Sequence, residues 1–365
     1  MKPLSSYYTY RGMSAFRTAV TRKKQATVGF IGGSITDPRG RQRWPEYVMN
    51  ELVAAYPDVN FTVVNVAIGA TGSAGAVMRC ESRLIPYDCD LIFMEYAVND
   101  NGLATDVRNA SREGLIRKFL KNTRADLVIT YTYSVDFLPA MLEGKLPPSI
   151  AEYEALAEHY GIPSVFMSRY ALDCELEGLV RWEEWLPDGL HPANTGSRLY
   201  AAPVVALLKA AVSDEDPKAL SRETAPLFPD NWENAENLPL QKINRRGPWL
   251  IRHMMDLSEV DFVLGTSAVG AKADFSFEGT GVVLIENYGW LAADFRYRID
   301  GGEWKEMREP RPDWISDLGW TKELILEMGL GKGKHNFELE TLPPTGDGKH
   351  KGTIFEICNI GILKD

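Results

Sequence analysis

The sequence is poor in cysteine, has no long apolar run and carries no excess of positive charge. Each shortage removes a class of protein. The 365 residues include four cysteines, Cys80, Cys89, Cys174 and Cys358. None forms a C-x-x-C pair, and no Cys/His spacing resembles a zinc site. Cysteines spread this thinly read as free thiols in a reducing compartment, with room for at most an occasional disulfide. No stretch approaches the roughly 18 consecutive apolar residues of a membrane-spanning helix. The N-terminal MKPLSSYYTYRGMSAFRTAVTRKKQ lacks the apolar core of a secretory signal, so a cytoplasmic protein is expected. The net charge of -10 repels phosphate backbones and anionic lipid heads, so neither nucleic acid nor a membrane surface is expected as a partner. A neutral substrate such as a sugar is compatible with that charge. Tandem repeats and low-complexity segments are also missing.

What remains is the composition of a soluble globular chain, 45% hydrophobic and 25% charged. Its length suffices for one large core or two ordinary domains. The first two-thirds alternates short apolar runs with amphipathic stretches. Runs at Ala26–Ile31, Asn60–Val66, Asp90–Tyr96, Asp126–Tyr131 and Pro163–Met167 read as strands. Trp44–Tyr56, Val107–Leu120, Ser149–Tyr160 and Asn194–Ala211 place apolar residues at helical steps. Apolar strands separated by helices predict an α/β domain, a parallel sheet flanked by helices, over residues 1–212. Residues 213–246 break the pattern with acidic residues and prolines. They read as a linker lying against the surface, anchored by Leu227, Phe228 and Trp232. From 247 to 365 short alternating strands separated by glycine turns, such as Asp300-Gly301-Gly302, predict an all-β sandwich or jelly roll.

The chemistry-bearing residues follow the strands. Gly32-Gly33-Ser34 comes directly after the first strand, where glycines allow a sharp turn and place a serine at the sheet's edge. Taken alone, such a triplet also opens many phosphate-cradling or plain βα turns. Asp188-Gly-Leu-His191-Pro192 closes the α/β region. A serine is a weak nucleophile without a base, and the base needs an acceptor to fix its tautomer. Asp188 is equally an ordinary cap residue ahead of a helix. Gly69 follows the second strand and Asn99 the third. The backbone N–H of Gly69, the amide of Asn99 and the N–H of Ser34 could converge as donors to an oxyanion, although each position is also a plain turn residue.

Together these blocks resemble the SGNH (GDSL-type) hydrolase superfamily. Its four blocks carry a Ser in a Gly-x-Ser turn, a Gly, an Asn-Asp turn and an Asp-x-x-His. The resemblance covers about residues 24–212. It implies Ser34 as nucleophile, His191 as base, Asp188 as the residue steadying the imidazolium, and Ser34, Gly69 and Asn99 as the oxyanion hole, with no metal or cofactor. The first block reads GGSIT rather than GDS, and Ala97 stands where a glycine is common. The GGSIT form looks like a branch of bacterial carbohydrate esterases. A sandwich appended to such a domain resembles the carbohydrate-binding modules of hemicellulose deacetylases.

Candidate sugar-stacking aromatics are Trp44, Trp182, Trp185 and Trp314, with Trp290 and Trp320 as further possibilities. Trp182 and Trp185 lie just before Asp188, and Trp314 lies in the polar stretch REPRPDWISDLGW. Most tryptophans in any chain serve core packing instead. The sandwich is compatible with a lid, a sugar-binding module or a dimer surface. The linker is not Gly/Ser-rich, which favours a part in the substrate cleft. The expected function is removal of O-acetyl groups from acetylated mannan or xylan oligosaccharides. A lipase, lysophospholipase or thioesterase of the same superfamily is the first alternative, and a non-catalytic sugar-binding protein on a hydrolase scaffold is the second.

Overall fold

The computed structural model describes residues 1–40, 43–255, 257, 260–345, 350 and 352–364. The chain forms two compact units, Met1–Glu233 and Asn234–Asp365.

The first unit is built on a six-stranded sheet of β1 (Tyr8–Thr9), β2 (Gln25–Gly32), β3 (Asn60–Asn65), β4 (Leu91–Glu95), β5 (Asp126–Thr130) and β6 (Ser164–Val165). The spatial order is β1-β6-β5-β4-β2-β3. The five strands expected from the apolar runs are all present and mutually parallel. The short β1 was not foreseen and pairs antiparallel with β6 at the edge. β4 and β5 are buried at every residue, as central parallel strands must be, whereas β3 at the other edge is largely exposed. The helices are α1 (Ser14–Thr18), α2 (Trp44–Ala55), α3 (Ser73–Arg83), α4 (Thr105–Asn122), α5 (Leu138–Leu142), α6 (Pro148–Tyr160), α7 (Met167–Leu176), α8 (Trp182–Trp185) and α9 (Asn194–Ser213). α2 packs on α9 and α3 on α4. α6 shows why its bounds were readable: Pro148 sits at its first position, and Gly161 ends it with a left-handed backbone (φ 67°). Among the described residues no helix is long and apolar enough to cross a membrane.

The stretch expected to be a linker is divided between the two units. Residues 214–233 form a strap on the first unit. Its hold is mainly a buried carboxylate: Glu113 on α4 accepts the N–H of Leu227 (2.5 Å), the N–H of Phe228 (2.7 Å) and the hydroxyl of Tyr160 (2.5 Å). Leu227, expected to anchor through its side chain, leaves that side chain exposed and anchors through its backbone. Trp232 is buried as expected and lies so close to Gly114 that a Cβ there would meet its backbone at 2.6 Å. Residues 234–246 belong to the second unit and supply its first two strands.

That second unit is a sandwich of two antiparallel sheets. Its strands are β7 (Glu236–Asn237), β8 (Asn244–Arg246), β9 (Leu250–His253), β10 (Phe262–Thr266), β11 (Lys272–Glu278), β12 (Gly281–Tyr288), β13 (Asp294–Ile299), β14 (Lys305–Met307), β15 (Trp320–Glu327), β16 (Lys334–Leu342) and β17 (Phe355–Leu363). One sheet runs β15-β12-β17-β10-β9 with β7 on β17, and the other runs β14-β13-β16-β11-β8. Alternate residues point inward: Phe275, Phe277, Tyr297, Phe337 and Leu339 from one sheet meet Leu284, Leu324, Ile357 and Ile360 from the other. Phe337 stacks on both Phe275 and Tyr297, with centroids 4.8 and 5.7 Å apart. The β13 hairpin turns at Asp300-Gly301, both left-handed (φ 52° and 70°), which the Asp-Gly-Gly sequence permits.

Replacing Gly114 by Ala sets a helix-propensity gain of about 1 kcal/mol against a clash with backbone that cannot swing aside. Overpacking of this kind costs about 1–3 kcal/mol. We expect Gly114→Ala to lower the thermal midpoint of the first unit, read by calorimetry; an unchanged or raised midpoint would show that the strap is not fixed at Trp232.

Candidate active site

Parallel strands deliver their following loops to one edge of the sheet. β2 ends at Gly32 and is in register with the end of β4, Gly32 opposite Glu95. The chain turns at once: the N–H groups of Thr36 and Asp37 both donate to the carbonyl of Gly33, at 3.1 and 3.0 Å, and Ser34 is left partly exposed at the top. Gly33 is required there, because a Cβ would meet the Asn99 side chain at 1.9 Å. The Asn99 carboxamide therefore lies directly against the serine turn.

The loop ahead of α9 brings the second group. Asp188 Oδ1 accepts the N–H of Leu190 (2.9 Å) and of His191 (2.6 Å), a side-chain-closed turn in which Gly189 adopts φ 77°. Asp188 Oδ2 lies 2.7 Å from His191 Nδ1, and His191 Nε2 lies 2.8 Å from Ser34 Oγ. A proton on Nδ1 shared with the carboxylate leaves Nε2 as an acceptor for the serine hydroxyl. The Val135 N–H ties the loop to the segment after β5 through the carbonyl of Gly189 (3.1 Å), and Arg43 Nη1 reaches the carbonyl of Pro192 (3.4 Å). Partial burial works to raise the Asp188 carboxyl, but hydrogen bonds from the His191 ring and the two backbone N–H groups outweigh it. The group is held below the usual carboxylate range. Its side chain remains 54% exposed, so the ion pair it would form is well screened.

The three residues expected to act together, Ser34, Asp188 and His191, are thus joined in one hydrogen-bonded chain, with Asn99 beside them. Gly69 departs from expectation. Its N–H, read from sequence as an oxyanion donor, donates instead to Asp37 Oδ2 at 2.8 Å. Asp37 is buried and also bound by Arg39 Nη2 (2.6 Å). Burial pushes its carboxyl up, but hydrogen bonds from Arg39 and the Gly69 N–H pull it lower than normal. The following residue, Ala70, has a left-handed backbone (φ 57°), strained for a residue with a Cβ.

The aromatic expectations fare unevenly. Trp44 and Trp185 are fully buried and present no face to a sugar. Trp44 packs edge-on to Phe30 and Phe93 and donates Nε1 to Thr36 Oγ1 (3.0 Å). Trp185 sits among Tyr133, Trp182 and Tyr200. Trp182 is half-buried at the rim of that cluster. Trp314, in the second unit, is 62% exposed and edge-on to Trp320, which opens β15. Trp290 donates Nε1 to the carbonyl of Ile315.

Several supporting residues were missed. Asp100, fully buried, accepts the N–H of Ser73 at the start of α3 (2.9 Å) and Nε of the equally buried Arg112 (2.7 Å). It thereby fixes the loops after β3 and β4 to each other and to α4. Glu95 accepts from Thr36 and Thr132 beneath the serine turn. The available signal was charge out of place, a lone Glu closing the apolar run LIFME and an Asp beside Asn99.

The chain shares its fold, a parallel α/β unit followed by an all-β sandwich, with an esterase of known structure. It is similar over its full length to a two-domain esterase active on acetylated mannans, with 18% identity, TM-score 0.82 and 99% of each chain covered. A structure of a two-domain esterase active on acetylated mannans, co-crystallised with mannopentaose, gives 18% identity, TM-score 0.81 and coverage of 99% of this chain and 98% of that one. An acetylxylan esterase from Geobacillus stearothermophilus covers 50% of this chain and 94% of its own, with 19% identity and TM-score 0.42. No family model matches the sequence, and no curated protein matches it.

Asp100→Asn removes one member of a fully buried ion pair and leaves the Arg112 charge uncompensated. The expected cost is about 3–5 kcal/mol, measured by denaturant unfolding. A cost under about 1 kcal/mol would mean that the two loops do not depend on this carboxylate.

Proposed function

We propose that this protein is a serine esterase that removes O-acetyl groups from acetylated mannan- or xylan-type oligosaccharides. The observation that carries the proposal is the chain Ser34 Oγ to His191 Nε2 to Asp188 Oδ2, with steps of 2.8 and 2.7 Å. On this reading Ser34 attacks the acetyl carbonyl as its hydroxyl proton passes to His191 Nε2. The Asp188 carboxylate stabilises the imidazolium and keeps its Nδ1–H oriented. The oxyanion takes its hydrogen bonds from the Ser34 N–H and the Asn99 carboxamide, the Gly69 N–H being engaged by Asp37. Collapse of the tetrahedral intermediate returns the proton to the leaving sugar hydroxyl. A water then gives its proton to His191 and attacks the acetyl-Ser34 carbonyl, releasing acetate and restoring the serine.

The substrate class follows from two supports. The chain shares its whole two-domain fold with an esterase active on acetylated mannans. The net charge of -10 suits a neutral ligand better than an anionic one. Of the aromatics expected to face sugar, Trp314 and, in part, Trp182 keep surface to offer.

Ser34→Ala is expected to lower kcat by about 10³- to 10⁶-fold with an unchanged thermal midpoint. An unaltered rate would remove Ser34 from the mechanism. On p-nitrophenyl esters, activity should be greatest with acetate and fall as the acyl chain lengthens; a rise with chain length would favour a lipase-type enzyme. Mass spectrometry of acetylated mannan and xylan oligosaccharides before and after treatment identifies the sugar, and loss of acetyl from neither would refute the substrate class.

A further inference from the structure

We propose that Glu95 is a positioning residue for the nucleophile, a clasp beneath the turn at 32–37 that holds Ser34 at the edge of the sheet; this rests on Ser34 acting as the nucleophile. β4 consists of four apolar residues followed by Glu95, and all five are buried. A carboxyl group there is costly unless its oxygens are satisfied. Among the described residues no Lys, Arg or His forms an ion pair with Glu95. Its partners are hydrogen-bond donors from the loops around the serine. Thr36 Oγ1 donates to Oε2 (3.1 Å) and Thr132 Oγ1 to Oε1 (2.6 Å). The backbone N–H of Gly33 adds a third.

Gly33 and Thr36 bracket Ser34, so both sides of the nucleophile turn are tied to one carboxylate. The Asn99 side chain lies against Gly33, where a Cβ would strike it. Thr36 is fixed further by Trp44 Nε1 on its hydroxyl (3.0 Å) and by Asn65 Nδ2 on its carbonyl (2.8 Å). Thr132 follows β5, so the clasp also spans the strand between the serine loop and the segment that Val135 links to the Asp188–His191 loop.

The clasp is also sensitive to protonation. Burial pushes the Glu95 carboxyl up to about 7, opposed by its three hydrogen bonds and reinforced by Asp100. The other titratable groups that feel it are Tyr153 on α6 and Tyr200 on α9, while Asp100 itself is paired with Arg112. The ionised group accepts from all three donors. The neutral acid must turn one oxygen into a donor, and the Gly33 N–H cannot reverse. Protonation therefore forces at least one of the three contacts to rearrange, and the ionised form is the one that holds the turn as found.

The test compares full-length wild type, Glu95→Gln, Thr132→Val and Ser34→Ala, with p-nitrophenyl acetate as substrate across about pH 5 to 9. Wild type should show an acid limb in log kcat to which Glu95 contributes. Glu95→Gln should lower kcat about 10- to 100-fold with KM within about twofold, and make that limb shallower. The stability sign is also fixed. A carboxyl whose folded pKa is raised contributes stability below its unfolded value, about 4.5, and loses it as pH rises through about 7. The thermal midpoint of Glu95→Gln relative to wild type should therefore climb across that window. A purely structural role would lower the midpoint and leave the slope of the acid limb unchanged. Folded Glu95→Gln with wild-type kcat and slope would overturn the proposal. If Glu95→Gln does not fold, Thr132→Val decides: loss of one donor should lower kcat and move the acid limb to higher pH, and an unmoved limb would overturn the proposal equally. Full activity in Ser34→Ala would end the nucleophile reading and this one with it, whereas an inactive Ser34→Ala beside an unaltered Glu95→Gln would end this one alone.

Discussion

The first unit depends on a constraint at the carboxyl edge of its parallel sheet. β4 and β5 are buried on both faces, so the loops that follow them begin in an apolar environment. Every polar group there must find a partner inside the protein. The chain meets this demand with three buried carboxylates, each used as a multiple acceptor. Asp37 joins the serine loop to Gly69, Glu95 joins it to Thr132, and Asp100 joins the loops after β3 and β4 to α4 through Ser73 and Arg112. Ser34 and Asn99 stand on this framework, whereas the His191 loop is closed by Asp188 and tied to the segment after β5 through the Gly189 carbonyl and the Val135 N–H.

The same logic holds the strap at 214–233. Glu113 is a fourth buried carboxylate, and it captures the backbone of a segment with few apolar side chains of its own. The sandwich works differently. Its core packs aromatic residues of one sheet, with Phe337 between Phe275 and Tyr297, against aliphatic residues of the other such as Leu284, Leu324 and Ile360. Its charged residues lie mainly on the outer face, in cross-strand pairs such as Arg298 with Glu338 and Arg296 with Glu340.

Much of this was legible without coordinates. The five parallel strands, four of the helices and five sandwich strands followed from hydrophobic periodicity, which burial on one or both faces imposes directly on the sequence. The site was legible for a related reason. Asp188 and His191 are three residues apart in a turn that Asp188 itself closes, so their pairing is local. Gly33-Ser34 sits where the end of an apolar run meets glycines. β1 escaped notice because two residues carry no periodicity, and the linker was drawn too long because its beginning and end dock on different units through backbone groups.

What the sequence determined by itself was therefore whatever depends on neighbours along the chain: strand and helix periods, the tight turn at Gly33, and the Asp188–His191 pair. Tertiary structure alone decided which polar groups meet across the sheet. It turned the Gly69 N–H toward Asp37, buried Trp44 and Trp185, and set Glu95 beneath the serine turn. Those outcomes depend on strand order and on which loops are brought together. A hydrogen bond between residues 32 or 59 positions apart leaves no periodic trace in the sequence that encodes it.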